Sequence, residues 1–397
     1  MSAAALSRQS EWPAVISSLI VGTLGAAVLL ILPGLVGVLH EGYRFSDAQV
    51  GYLSSAALGG LTLGAAVGAR LVPALGVTRS ARISILLAAA AQFAMVPVHA
   101  FTPLLILLVL GGLGSGAMVT VSYVVLGQTQ SVERNFGLFV IGQLLFGAAA
   151  MPVMPMIASV AGVGGTFILL GALFLAALLL LRYLSVSPSA APAVTSATLA
   201  GAAAGGLAIA AIVAVFFYSV ALGAVWAYLQ LIGEGGGLTP QDAASGVAIA
   251  TLVGVSGPIA ATALGARFGR VVPLFAGTFL GVAAMYMLTV SPSGVAFIIA
   301  ASAFCAAWNF TVPYQLACVA LVDASGRAIG WAAPVSLAGL ALGPFGATFV
   351  LEGRKFAVVL WLCVALSLVS LLGFLPACLK SSTAQGRATA VSGSSAP

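Results

Sequence analysis

Long runs of apolar residues dominate the chain, separated by short polar clusters such as EGYRFSD at 41–47 and GEGGGLTPQD at 233–242. A helix needs about 20 such residues to cross a bilayer. Twelve runs reach this length, at roughly 14–39, 47–69, 80–99, 102–127, 135–159, 164–184, 204–232, 242–265, 271–290, 294–320, 327–351 and 356–379. Because the runs are continuous rather than alternating, each is predicted to be a membrane-spanning helix and not a barrel strand.

The composition agrees with this pattern. Of the 397 residues, 61% are hydrophobic and 6% are charged, whereas a soluble domain carries about 25% charged residues. The surroundings are therefore expected to be a lipid bilayer. The basic residues are scattered between apolar runs, so the net charge of +6 indicates no nucleic-acid partner.

No enzyme motif, metal site or cofactor is expected. The four cysteines lack metal-ligand spacing and lie in apolar runs, where they are expected to be buried packing residues without a disulfide. They are Cys305, Cys318, Cys363 and Cys378.

The basic residues predict the orientation, because cytoplasmic loops of membrane proteins are enriched in Lys and Arg. With twelve spans, both termini lie on one side. That side holds Arg8, Arg70, Arg79, Arg82, Arg134, Arg182, Arg267, Arg270, Arg327, Lys380 and Arg387, and the other holds Arg44, Arg354 and Lys355. The asymmetry predicts a multi-pass protein of a bacterial-type inner (cytoplasmic) membrane, with both termini in the cytoplasm.

The chain also repeats itself. Three pairs of matching features lie 193 positions apart, namely Gly76 with Gly269, Arg134 with Arg327, and Glu41-Gly42 with Glu234-Gly235. Two parallel six-helix halves explain this offset. The predicted units are an N-terminal bundle at 1–184, a cytoplasmic linker at 185–203 rich in Ser, Pro and Ala, a C-terminal bundle at 204–380, and a disordered tail at 381–397.

Over residues 12–380, the chain resembles the major facilitator superfamily. Arg267-Phe268-Gly269-Arg270 is similar to the Arg-x-Gly-Arg end of the family's loop signature. Gly339, Gly343 and Pro344 match its Gly-x-x-x-Gly-Pro helix signature, of which Gly147 and Met151-Pro152 form a degraded copy in span five. The chain departs from the family at Pro73 and Ala266, where the signature has Asp, and at Leu110, where span four often has Arg.

The resemblance implies a substrate cavity lined by spans one, four, seven and ten. The acidic residues all map to span ends or loops, so this cavity is expected to be neutral and largely apolar. Its candidate lining residues are Trp226, Gln230, Trp308, Asn309, Gln315, Tyr123, Gln143 and Tyr218. The alternative is that these side chains join helices, since amides in hydrocarbon need partners.

A second set of residues could control opening or coupling. His40 and Glu41 end the first span and could form a protonation switch, or a solvated loop pair. At the cytoplasmic ends, Glu133 could pair with Arg70, Arg79 or Arg82, and Asp323 with Arg267 or Arg270, to close an inner gate. Arg134 and Arg327 lie beside these acids at equivalent positions. The alternative is that all these charges only set the orientation.

Together these features predict an all-α, twelve-helix secondary transporter that works as a monomer by alternating access. It is expected to move a small neutral or amphipathic organic solute, with protons as the coupling ion. An uncoupled facilitator and a non-transporting sensor or scaffold are the alternatives. Copper transport is a further alternative, because Met151, Met154 and Met156 lie close in sequence and thioethers bind Cu(I). Flexible packing around a proline kink also explains these methionines.

Overall fold

The computed structural model describes residues 3–129, 132–184, 206–265, 267–290, 294–322, 327–351 and 356–393. Within these ranges the first half contains α1 Ala3–Gly25, α2 Ala27–Leu30, α3 Leu32–Tyr43, α4 Asp47–Leu75, α5 Val77–Met95, α6 Phe101–Gly127, α7 Val132–Ala177 and a 3₁₀ turn at Leu178–Tyr183. The second half contains α8 Gly206–Gly235, α9 Pro240–Gly254, α10 Ser256–Leu264, α11 Val271–Val290, α12 Gly294–Val322, α13 Arg327–Thr348 and α14 Phe356–Gly393.

These helices make up the twelve predicted spans. The first span is broken into α1, α2 and α3, the eighth into α9 and α10, and α7 holds the fifth and sixth spans on either side of a turn at Gly162. Eight helices of the described ranges are long and apolar enough to cross a membrane. The all-α, twelve-helix fold is thus confirmed.

The spans run alternately between two ends of the bundle. We call the end that carries His40, Arg44, Asp47 and Glu234 the His40 face. The opposite end, the basic face, carries Arg70, Arg79, Arg82, Arg182, Arg267 and Arg270. The start of α5 and the end of span six meet at the basic face, where they line a cavity formed by Thr78, Arg82, Leu178, Leu179, Leu181 and Arg182.

The backbone of the turns preserves the 193-residue repeat. Arg44 (φ 54°) and Gly237 (φ 91°) take the left-handed region in the turn after the first span of each half. Two residues further on, Ser46 caps α4 and Thr239 caps α9, each accepting the amide hydrogen of the residue three positions later.

Helix packing preserves the repeat as well. A Cβ on Gly64 would collide with the Leu113 carbonyl, and a Cβ on Gly257 would collide with the Ala306 carbonyl. Both the glycines and their contacts are 193 positions apart. The second and fourth spans of each half therefore approach at the same point, as expected for glycine-lined contacts in membranes.

The hydrophobic core shows how the two halves meet. Toward the His40 face, one buried cluster includes residues of both halves, among them Leu35, Leu53, Val225 and Leu340. Toward the basic face, the clusters separate: one contains only first-half residues around Ile85, and another only second-half residues around Leu274. The two halves thus share one buried core at one end of the bundle and have separate cores at the other.

The helix contacts follow the same division. In span one, α3 packs on α8 of the other half, whereas α1 packs mainly on α6 and α7 of its own half. In span eight, α9 packs on α7 of the other half, whereas α10 packs mainly on α12. We call the space between the halves on the basic-face side the central crevice.

The predicted unit boundaries remain predictions. Residues 185–203, the predicted linker, lie outside the described residues. The structure continues α14 to Gly393, so the backbone of most of the predicted disordered tail is helical. The Ala, Gln and Arg residues of this stretch have good helix propensity.

Candidate functional site

Hydrogen bonds join the two halves, and three of them pair a second-half side chain with a first-half backbone carbonyl. Trp226 Nε1 donates to the Leu29 carbonyl at 2.8 Å, the Tyr228 hydroxyl to the Asp47 carbonyl at 2.9 Å, and Gln241 Nε2 to the Pro152 carbonyl at 3.1 Å. In each bond the second half supplies a side-chain donor and the first half supplies a backbone acceptor. All three lie on the His40 side of the crevice, where they close that face.

The Trp226–Leu29 bond lies where the closed His40 face borders the central crevice. The Trp226 ring is buried and meets the edge of Trp308 with ring centroids 5.8 Å apart and planes at 75°. Trp308 and Leu29 are half-buried, as is Asn309, whose amide donates to the Cys305 carbonyl at 2.9 Å. These four residues form the aromatic floor of the central crevice.

The predicted lining residues thus fall into two groups. Gln143 is half-buried and Tyr123 is exposed, its ring against Phe136 and Phe139, so both could reach a solute. By contrast, Gln230, Tyr218 and Gln315 are buried. Gln230 Nε2 donates to Glu234 Oε1 at 2.8 Å, inside the closed His40 face.

On α8, Ser219 and Gly223 lie on the same helix face as Trp226, seven and three positions before it. They pack on α13. The Ser219 hydroxyl lies 2.9 Å from that of Ser336, and a Cβ on Gly223 would collide with the Leu340 carbonyl. This part of the face therefore joins two helices of the same half, which was the alternative offered by the sequence.

At the His40 face, His40 lies beside an aspartate of the next helix. Its Nδ1 is 3.5 Å from Asp47 Oδ1, and both side chains are nearly buried. Asp47 starts α4 after the Ser46 cap, so its carboxylate lies at the positive end of a helix. The proximity of Asp47 was not foreseen, because the sequence drew attention to the adjacent Glu41.

Glu41 is exposed and lines a cavity of about 630 Å³ on this face. The cavity lies between α3, the Gly162 turn and the start of α9, so both halves form its wall. Tyr43 also lines it, and burial raises the pKa of the Tyr43 hydroxyl.

The basic face shows only part of the predicted gate. Arg70 and Arg267 are exposed, and Arg270 Nη1 donates to the Ala317 carbonyl at 3.3 Å. The guanidinium of Arg134 lies 4.8 Å from the Trp12 ring centroid. Asp323 and the side chains of Glu133 and Arg327 lie outside the described residues, so the gate pairs stay a prediction.

The three methionines of span five do not share one environment. Met151 and Met154 are buried against Gly34 of α3, whereas Met156 is exposed in the cavity at the His40 face. This arrangement favours packing around the prolines over a common thioether site.

Comparison with known proteins places the fold. The nucleoside transporter NupG superposes with a TM-score of 0.73 at 16% identity, over 93% of this chain and 98% of that one. The D-xylose-proton symporter gives 0.73 at 15% identity, over 92% and 97%. At these identities the likeness concerns the fold alone.

A bacterial homolog of the human lysosomal transporter Spinster, in an inward-facing and unoccupied conformation, gives a TM-score of 0.65 at 13% identity, over 93% of this chain and 96% of that one. No curated protein matches the sequence. The family model of the Major Facilitator Superfamily, however, matches residues 14–344. The chain is therefore a membrane protein that belongs to the Major Facilitator Superfamily, a family of transporters and not of enzymes.

Proposed function

We propose that this protein is a secondary transporter that carries a small neutral or amphipathic organic solute by alternating access. The observation that carries the proposal is the divided core. The halves share one core at the His40 face and keep separate cores at the basic face. Such an arrangement is one of the two states that rocking of two bundles around a central site requires.

The crevice supports a solute without a net charge. Its floor combines the rings of Trp226 and Trp308 with the Asn309 amide. Of the described acids, Glu41, Asp47, Glu234 and Asp242 lie at the His40 face, and Glu11 lies near the start of α1. Aromatic rings and amides bind apolar and hydroxyl-bearing solutes well. A strongly charged solute would lack a counter-ion there.

Protons are the coupling ion of this proposal, and the His40–Asp47 pair is the group that favours them. An imidazole and a carboxylate can each carry a proton, and these two side chains lie nearly buried at the closed face, 3.5 Å apart. An uncoupled facilitator is the second candidate, since the floor of the crevice, as described above, contains no acid. We further propose that the basic face is cytoplasmic, which would make the present conformation inward-facing in an inner membrane.

A reversible lock would test the proposed mechanism. The rings of Tyr52 in α4 and Phe345 in α13 lie 5.7 Å apart across the closed face. The two rings span a gap that a short bifunctional methanethiosulfonate can bridge between the thiols of Tyr52→Cys/Phe345→Cys, and this crosslink should hold that face shut. In proteoliposomes screened with uridine, D-xylose and other neutral solutes, crosslinking should abolish uptake and reductant should restore it.

The control is the same bifunctional crosslink within one half. Tyr286→Cys/Trp361→Cys joins α11 and α14, whose rings are 5.8 Å apart, and should leave uptake unchanged. Uptake that persists in the locked protein would refute alternating access. A protonophore separates the two candidates, because only the coupled transporter loses accumulation. Absence of flux for every solute would favour a sensor or scaffold.

A further inference from the structure

We propose that the Trp226 indole and the Leu29 carbonyl form a latch that must break each time the His40 face opens, and that Pro33 creates the acceptor for it. The proposal rests on the proposed alternating access, and it assigns Trp226 and Pro33 as positioning residues of the conformational change. Trp226 was expected either to line the cavity or to join helices, and no role was expected for Pro33.

The argument begins with the break in span one. In a continuous helix, the Leu29 carbonyl would accept the amide hydrogen of residue 33. That residue is Pro33, which has no N–H. The backbone also leaves regular helix at Ile31, between α2 and α3 (φ −101°, ψ 6°). The Leu29 carbonyl is thus a strong acceptor in an apolar span without its usual helical partner.

Trp226 supplies the missing donor from the other half. Its Nε1 lies 2.8 Å from the Leu29 oxygen, and an indole can only donate. Trp226 is 6% exposed, so water has little access to replace this bond. Each group therefore satisfies the other, and both would be left unpaired in hydrocarbon if the halves separated here.

The position of the bond makes it a latch rather than general packing. It lies where the shared core of the His40 face ends and the crevice begins, next to the half-buried Trp308. Opening of the His40 face moves α3 away from α8, so this contact cannot persist in both states. A solute that supplied a donor or an acceptor here would lower the cost of breaking the bond.

A thiol at the closed face would report the latch directly. Thr348, at the end of α13, is 8% exposed and lies beside Gly51 of α4. In a chain whose four native cysteines are replaced by alanine, Thr348→Cys should react slowly with a water-soluble methanethiosulfonate. Adding Trp226→Phe keeps most of the ring but removes the N–H, and should raise the labelling rate about fivefold, the population shift expected for one neutral hydrogen bond.

Two further variants decide the outcome. Trp308→Phe is the matched control, and it should raise labelling less than twofold. Pro33→Ala restores an amide to residue 33, so Trp226→Phe should change labelling less than twofold in that background. An unchanged rate with Trp226→Phe, an equal rise with Trp308→Phe, or a full fivefold effect in the Pro33→Ala chain would overturn the latch.

The labelling measurement does not depend on knowing the solute. A latch that fails while the Tyr52–Phe345 lock still controls uptake would refute this inference and leave the proposed function intact. If the lock fails while labelling responds as expected, the proposed function is wrong and the latch remains as a structural contact.

Discussion

Glycines at 64 and 257 allow pairs of helices to approach until backbone meets backbone. In each half the added Cβ would collide with a carbonyl of the fourth span, at Leu113 or Ala306. A carbonyl held in a helix cannot move aside as a flexible side chain can. Gly59 lies on the same helix as Gly64, yet a Cβ there would meet no atom within 4 Å.

This difference predicts a pair of opposite effects. Gly64→Ala should destabilise the protein by about 1–3 kcal/mol, because overpacking forces two backbones apart. Gly59→Ala should be neutral or stabilising by up to about 1 kcal/mol, because alanine favours helix. Thermal unfolding of the purified variants in detergent measures both. Equal midpoints for the two variants would contradict the proposed contact.

For single residues, the sequence is a better guide to the functional residue types than to the atoms that these residues contact. Trp226 and Trp308 were selected as polar-tipped aromatics on facing spans, and they do meet. The acceptor of Trp226 is a backbone atom, which no side-chain pattern could indicate. The one available signal was Pro33 in the middle of an apolar run, since it removes an amide from the helix.

Among the elements, the turn after the first span of each half has a left-handed residue at the same position, but the residue type differs between the halves. Both turns need a left-handed residue two positions before the helix cap. The second half uses Gly237, whereas the first half uses Arg44 with φ 54°. A left-handed conformation costs a residue with a Cβ about 1–2 kcal/mol, so the first turn carries strain that the second avoids.

Arg44→Gly should therefore stabilise the protein by about 0.5–1 kcal/mol, after allowing for the extra freedom of glycine in the unfolded chain. The readout is the unfolding midpoint at fixed detergent concentration. Gly237→Ala is the mirror experiment, and it should lower the midpoint although its Cβ would enter open space. A fall in the midpoint with Arg44→Gly would show that the arginine side chain outweighs the strain.

Span breaks were the elements least accessible to the sequence. Apolar runs show where the chain crosses the membrane, but they do not show where the helix is interrupted within a span. The first span has breaks at Ala26 and Ile31, and the eighth at Val255. The sixth begins at Gly162, whose φ of 66° ends the preceding helix. The count of twelve was insensitive to these details because each break preserves the direction of the chain.

For the whole molecule, the charge asymmetry predicts a fixed orientation in the membrane. Arg44 and Arg79 are both exposed and lie at opposite faces. In intact bacterial cells, a membrane-impermeant maleimide should label Arg44→Cys, and should label Arg79→Cys only after the membrane is permeabilised. Each variant loses one positive charge, so the two are matched. The reverse pattern would place the basic face outside and would make the present conformation outward-facing.

Three of the bonds that join the halves have a consequence for how the chain can vary. Their acceptors are backbone carbonyls of Leu29, Asp47 and Pro152, and a carbonyl is present whatever side chain a residue bears. Substitutions at these first-half positions can therefore accumulate without removing an acceptor, whereas the donors Trp226, Tyr228 and Gln241 are side-chain groups that most substitutions would remove. Among homologues, variation at this junction should be concentrated on the acceptor side.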